Sequence, residues 1–222
     1  MMEESAMVYE EVIEHKKTFY FFVKRMFDLL FSVIGLLLLI PMVVLIKIAY
    51  MLTGDFHSIF FKQKRVGKNG KIFYLCKFRT MVPNAEQILK EWLENNPDIR
   101  EEYYKMRKLD KDPRITKIGK ILRISSLDEL PQVINILSGD MSLIGPRPLL
   151  EGELDEHFGN HKIYESVRPG LSGWWAANGR SITTYEERLQ LEYYYIENCS
   201  LALDMKCLFK TIQAVIKRTG AK

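Results

Sequence analysis

Apolar and polar residues alternate along this chain in blocks. Residues 1–18 are polar and mixed in charge, a pattern suited to an interfacial lead-in helix. The aromatic run Phe19–Phe22 precedes Lys24 and Arg25, as at a membrane interface. Residues Leu29–Ile46 carry no charge and sit at the lower length limit for a membrane helix. Pro41 lies inside that run, and basic residues flank it on both sides (Lys16, Lys17, Lys24 and Arg25 before, Lys47 after). Proline removes a backbone donor, and positive charge favours the cytoplasmic face for both ends. Together they predict a re-entrant helix-break-helix rather than a plain span.

Beyond the apolar run, GKNG followed by IFYLCKF predicts a turn and a short strand within Gly70–Met81. Asn84–Lys108 has helical spacing, with Ile88, Trp92 and Leu93 on one face and a break at Asn95–Pro97. Asp112-Pro113 starts a turn, and Ile115–Leu122 leads to an acidic pair, Asp128 and Glu129. Ser125 or Ser126 is placed to cap a helix there, with Glu129 near its third position and Pro131 in its first turn. Arg168–Arg180 reads as a Gly-rich loop with an aromatic wall, Trp174 and Trp175. From Leu201 to Arg218 the apolar spacing is that of an amphipathic helix, suited to core packing or to the bilayer surface.

Composition adds bounds. At 222 residues the chain is at most two ordinary domains. Its net charge of +4 is small, yet Lys62, Lys64, Arg65, Lys68, Lys71, Lys77 and Arg79 cluster after the apolar run. Such a patch suits lipid headgroups or nucleotide phosphates, and the weak overall charge argues against a nucleic-acid partner. Three cysteines without metal-ligand spacing imply free thiols. His157 and His161 are four apart with Gly159 between them, which favours loop roles over a zinc site.

The chemistry concentrates in residues 123–148. Adjacent acids (Asp128, Glu129) lie between Arg123 and the Pro146-Arg147-Pro148 triplet. Arginines neutralise phosphate oxygens, and carboxylates hold a divalent metal or attack phosphorus. Alternatively, the two acids only complement a helix dipole. Arg123, Arg147 and Arg180 are candidates for a phosphate clamp, with Lys77 and Arg79 contributing from the basic patch.

Several blocks in order resemble the small monotopic phosphoglycosyl transferases of the bacterial sugar transferase family: KRMFD at 24–28, KQKRVGKNGKIFYLCKFRTM at 62–81, DPRITKIGKILRISSLDELPQ at 112–132, GDMSLIGPRP at 139–148 and VRPGLSGWWAANGR at 167–180. The resemblance implies a helix-rich α+β protein with an N-terminal re-entrant helix and amphipathic interfacial helices. Its parts would be a lead-in (1–21), a membrane helix broken at Pro41 (22–52) and a catalytic domain (53–222) facing the cytoplasm at the bacterial inner membrane. It further implies transfer of a sugar-1-phosphate from a UDP-sugar to a polyprenyl (undecaprenyl) phosphate, with release of UMP, at the start of surface glycan synthesis. Asp128 would be the nucleophile, and Glu129 would bind Mg²⁺. Pro146, Pro148, Gly173 and Trp174 would join the arginines in holding substrate. The long insert at 84–108 favours a hexose over an acetamido sugar. Membrane lipids and a homodimer are further admissible partners.

Departures from the family pattern are Ile40 before the proline where Ser is usual, Trp175-Ala176-Ala177 after Trp174 where Gln is expected, Glu192 for Asp, and Cys199 for Trp. Two competing functions are a direct glycosyltransferase releasing UDP and a non-catalytic membrane scaffold.

Overall fold

The computed structural model describes residues 2–96, 100, 103, 109, 112–178 and 183–216, and the side chains of α1 and of the last helix within 17–213. The architecture is helix-rich α+β. One helix, α1 (Met2–Leu52), opens the chain. An antiparallel hairpin of β1 (Phe60–Val66) and β2 (Ile72–Phe78) follows, turning through a 3-10 step at 68–70. Next come α2 (Ala85–Asn95), α3 (Lys117–Ile124), a 3-10 turn (Leu127–Gln132) and α4 (Val133–Ser138). Two very short strands, β3 (Ser142–Ile144) and β4 (Gly170–Ser172), pair in parallel across α5 (Glu153–Glu156) and α6 (His161–Tyr164). The chain closes with α7 (Trp174–Asn178), α8 (Tyr185–Asn198) and α9 (Leu201–Ile216).

Most of α1's apolar surface is bare. Leu30, Phe31, Val33, Ile34, Leu37, Leu38, Ile40, Val44, Leu45 and Ile48 are all exposed. A bare apolar face of this extent marks a membrane or protein contact, and the helix is long and apolar enough to cross a bilayer. One stripe of α1 is different. Tyr20, Asp28, Ser32, Leu39, Ile46 and Tyr50 are buried, at spacings that keep them on one helical face. Gly35 lies on the same stripe. A Cβ there would come within 2.7 Å of Val133, so glycine lets α1 and α4 meet closely. Contacts run from Tyr20 to Tyr50, about 45 Å of helix axis at ~1.5 Å per residue. The helix therefore lies along the folded domain and does not project from one corner of it.

Helical hydrogen bonding continues across Pro41, so no interruption divides α1. Proline deletes one donor and bends a helix without having to end it. Among the other expectations, the strand after GKNG, the helix ending at Asn95 and the amphipathic C-terminal helix all form. The second half of the 84–108 insert lies largely outside the described residues.

Two local expectations are corrected. The serines build no capping box. Ser125 closes α3 instead, its hydroxyl donating to Ile121 O (2.8 Å) and Leu122 O (3.1 Å). Ser126 takes φ 56° to reverse the chain, and no side chain caps the turn that follows. With only these two residues between α3 and the next turn, they are used up in the reversal. Pro131 accordingly lies late in the 3-10 turn rather than at a helix start. The segment after Gly170 is not an open loop either, since Trp174 and Trp175 begin α7.

Candidate active site

The acidic pair sits on the 3-10 turn between α3 and α4, and three elements fix that turn. From α4, Asn135 Nδ2 donates to Tyr74 O (2.8 Å) and its Oδ1 accepts from Cys76 N (2.9 Å), which ties the helix to β2. From α3, Gly119 is pressed so close to Thr80 that a Cβ would stand 1.9 Å from the Thr80 carbonyl oxygen. Thr116 caps α3 by accepting from Gly119 N at 2.8 Å. Arg123, in the last turn of α3, donates through Nε to Thr80 Oγ1 at 3.0 Å.

These supports bring Lys77 and Arg123 to the two acids. Lys77 Nζ lies 2.8 Å from Glu129 Oε1. Burial raises the Asp128 carboxyl above the usual carboxylate range, and the neighbouring Glu129 raises it further. Lys77 and Arg123 oppose that shift electrostatically. Two half-buried carboxylates beside two cations are suited to engaging a phosphate through its charge.

Arg147 belongs to a second group. Pro146 and Pro148 are buried on either side of it, while Arg147 itself is exposed. Pro146 O accepts from Gly170 N (2.8 Å), and Pro148 O accepts from Arg65 Nη1 (3.1 Å). The prolines thus pin the backbone and turn the arginine outward. Glu192, buried on α8, accepts the Arg147 N–H at 3.0 Å. Burial pushes the Glu192 carboxyl up to about 7, against the attraction of Arg188 and Arg147. The Arg147 guanidinium lies 5.7 Å from the Trp175 ring, and Arg188 lies 4.9 Å from the same ring. Glu153 joins the group, 3.2 Å from Arg188 Nη1 and 3.8 Å from Arg65 Nη1. Arg65 and Lys77 occupy the same face of the hairpin, four register positions apart through the Phe73 and Phe61 pairings, or ~13 Å along the strands.

The other expected site residues are placed differently. Arg79 is buried with its nitrogens in use, by Asp55 Oδ2 (2.8 Å), Ser58 O (2.7 Å) and Met81 O (2.9 Å), while Tyr50 stacks beneath it at 4.6 Å. Each of its three nitrogens is thus engaged in bracing the strand end, and its charge is paired with Asp55. Gly173 is tight packing, since a Cβ would sit 2.1 Å from Gly145 O. Trp174 packs against Tyr194 and under Lys210 instead of forming a wall. It is Trp175 that meets the arginines. Arg180 lies outside the described residues. The three cysteines are free, and His161 is engaged by Glu165 and Asp155.

Polar residues flanking the apolar run have specific partners that sequence reasoning did not assign. Arg25 donates to the last carbonyls of α4, Ile136 O (2.6 Å) and Leu137 O (2.9 Å). Asp28 accepts from Ser142 Oγ (3.0 Å) and Leu143 N (2.8 Å). Lys24 reaches Asp204 at 2.7 Å, where Tyr20 and Tyr195 also converge. The signal was the charged residues themselves, spaced along one face of a membrane-seeking helix.

Among the described residues no group of three or more His, Cys, Asp or Glu is placed to hold a metal. Asp128 and Glu129 alone fit a hard cation such as Mg²⁺, which takes one or two carboxylates and completes its shell with phosphate and water.

The family model for bacterial sugar transferase matches residues 19–218. An undecaprenyl-phosphate galactose phosphotransferase of Salmonella typhimurium is 42% identical over 200 residues, covering 90% of this chain and 42% of the relative. The exopolysaccharide production protein ExoY of Sinorhizobium fredii is 41% identical over 198 residues, 89% of this chain and 87% of that protein. An N-acetylgalactosaminephosphotransferase of Aeromonas hydrophila, acting between its UDP-sugar and undecaprenyl phosphate by name, is 35% identical over 209 residues, 91% of this chain and 46% of the relative. The chain thus spans less than half of the Salmonella and Aeromonas proteins and most of ExoY. It belongs to the bacterial sugar transferase family, whose members are transferases acting at membranes.

Proposed function

We propose that this chain transfers a hexose-1-phosphate from a UDP-hexose to undecaprenyl phosphate, releases UMP and so begins a surface polysaccharide. The observation that carries this reading is the gathering of Lys77 from β2 and Arg123 from α3 around the turn that bears Asp128 and Glu129, which packs beside the membrane-seeking helix. The names of the Salmonella and rhizobial relatives support the carrier and the product class. The higher identity to the galactose enzyme than to the N-acetylgalactosamine enzyme supports a hexose.

Asp128 attacks the β-phosphorus of the nucleotide sugar. A carboxylate oxygen forms the new P–O bond, the bond to the bridging oxygen breaks, and UMP leaves with the electron pair. An oxygen of undecaprenyl phosphate then attacks the same phosphorus and the carboxylate is regenerated. Arg123 and Lys77 balance charge that accumulates on the phosphoryl oxygens. Mg²⁺ held by Glu129, with Asp128 adjacent, would supply further neutralisation of the diphosphate. Arg147 holds the more distant part of the donor, aided by its cation–π contact with Trp175.

The membrane reading is that α1, bent but not broken at Pro41, embeds its bare apolar face from the cytoplasmic side, with residues 53–222 as the catalytic domain at the inner membrane. Attachment of both ends of α1 to one domain supports it, as do Pro41 and the basic flanks.

The deciding assay holds the full chain in nanodiscs with Mg²⁺, UDP-galactose or UDP-glucose, and undecaprenyl phosphate, and measures UMP and UDP separately. UMP that disappears with Asp128→Asn is the expected result. UDP in its place would make this an ordinary glycosyltransferase, and neither nucleotide would point to a scaffold.

A further inference from the structure

A cavity of about 250 Å³ lies between the start of α1, the tip of the β1–β2 hairpin and the β3–β4 pair. It is separate from the acidic pair and unused by the proposed reaction. Three cations line it, Lys24, Lys68 and Arg168, together with Phe21 and the buried acid Asp28. Their states differ. Lys24 is committed to Asp204 at 2.7 Å and Tyr195 at 3.3 Å. Asp28 is committed to Ser142 and Leu143. Lys68 is exposed, and the one side-chain interaction it makes among the described residues is with the Phe21 ring, 5.8 Å away. Arg168 donates through Nε to Gly139 O at 2.7 Å, and no acceptor among the described residues takes its terminal nitrogens. One ammonium and one guanidinium fork are therefore left at the rim, while the wall acid Asp28 takes both of its hydrogen bonds on Oδ1.

Position narrows the ligand. Phe19 and Phe22 are exposed on the same turns of α1, as aromatic residues are at headgroup depth. At about 250 Å³ the cavity is far larger than a single-water site and has room for a phosphodiester. We propose that this cavity is a phosphate-ester site at the bilayer surface, filled by the headgroup of an anionic membrane lipid and gripped by Lys68 and Arg168. A soluble phosphate is the competing source of the same chemistry. The inference rests on the reading of α1 as a membrane helix.

The test uses the full chain in detergent, with native mass spectrometry of bound phosphatidylglycerol and phosphatidylcholine. Wild type should retain phosphatidylglycerol preferentially, and Lys68→Ala with Arg168→Ala should lower that retention about tenfold. Lys68→Ala alone, which touches no backbone, should lower it in part. Lys62→Ala with Lys64→Ala, equal in charge but on the exposed hairpin, should leave it unchanged. No preference in wild type, or equal loss in the control pair, overturns the proposal. Millimolar inorganic phosphate that displaces the lipid and itself binds more tightly would assign the site to the soluble source and overturn the headgroup assignment. Sedimentation with phosphatidylcholine vesicles separates the two levels. A chain that fails to bind them refutes the membrane helix, whereas one that binds them without lipid preference refutes only the cavity site.

Discussion

Lys77 is paired with Glu129 at 2.8 Å, while Asp128, the next residue back, makes no ion pair among the described residues. Neighbours in sequence thereby acquire different chemistry. Glu129 has its charge compensated, and Asp128 keeps a carboxylate that is partly desolvated and free to form a bond. Asp128→Asn should abolish covalent labelling by a radiolabelled UDP-sugar, whereas Glu129→Gln should retain weak labelling with an altered Mg²⁺ requirement.

Lys77 should also set the acid limit of the reaction. Asp128 must be ionised to attack, and its pKa is already raised by burial and Glu129. Removing Lys77 takes away an opposing charge, so Lys77→Met should move the acid limb of the labelling rate to higher pH. A limb that stays in place, measured by quenched labelling across pH, would show that Lys77 does not face Asp128 in solution.

Arg147→Lys retains the charge but loses the planar guanidinium that lies over the Trp175 ring. The kcat/KM should fall about tenfold or more, with most of the loss in KM for the nucleotide sugar. Trp175→Leu should reproduce much of that KM effect, while Trp174→Leu should chiefly lower thermal stability because its ring packs on Tyr194.

Glu192 makes stability pH-dependent in an unusual direction. Its folded-state pKa of about 7 lies above the ordinary glutamate value of 4.5. Between those values the folded chain binds more protons at this site than the unfolded chain, so its contribution falls as pH rises from about 4.5 to 7. Glu192→Gln keeps an acceptor for the Arg147 N–H and removes the ionisation. Relative to wild type it should gain stability across that window, by on the order of 3 kcal/mol at most. Thermal melts of both proteins at pH 5 and pH 8 check the sign.

Asp28→Ala leaves the Leu143 N–H and the Ser142 hydroxyl without their acceptor. A buried group stripped of its partner costs about 1–3 kcal/mol. The variant should melt at lower temperature and expose α1 to limited proteolysis, and Asp28→Asn should recover part of the loss.

Much of the fold was legible because its local signals are strong. The turn at Gly67–Gly70 before β-prone residues marked β2, though not its partner β1, and the apolar spacing after Leu201 marked α9. The acids, Arg123 and Lys77 were found because phosphate chemistry demands such residue types, and the structure brings these four together. What failed was long-range. Arg79 and Lys77 look alike in the basic patch, and only the approach of Asp55 and Tyr50 separates a bracing arginine from an available lysine. Adjacent tryptophans gave no hint that α7 would turn Trp174 toward α8 and Trp175 toward Arg147. Glu192 drew notice only as a departure from the family pattern, and its role depends on a backbone N–H 45 residues away.

The two-ended attachment of α1 imposes a phase on the membrane segment. Lys24 and Asp28 lock one end, and Tyr50, donating to Arg79 O at 2.6 Å, locks the other. Each residue of helix advances the rotation by ~100°. A single residue inserted between Asp28 and Leu39 would swing Leu39, Ile46 and Tyr50 off the domain while leaving hydrophobicity and length almost unchanged. The anchor is therefore keyed to its domain like a splined shaft, and a substitute helix of equal greasiness but different phasing would not seat.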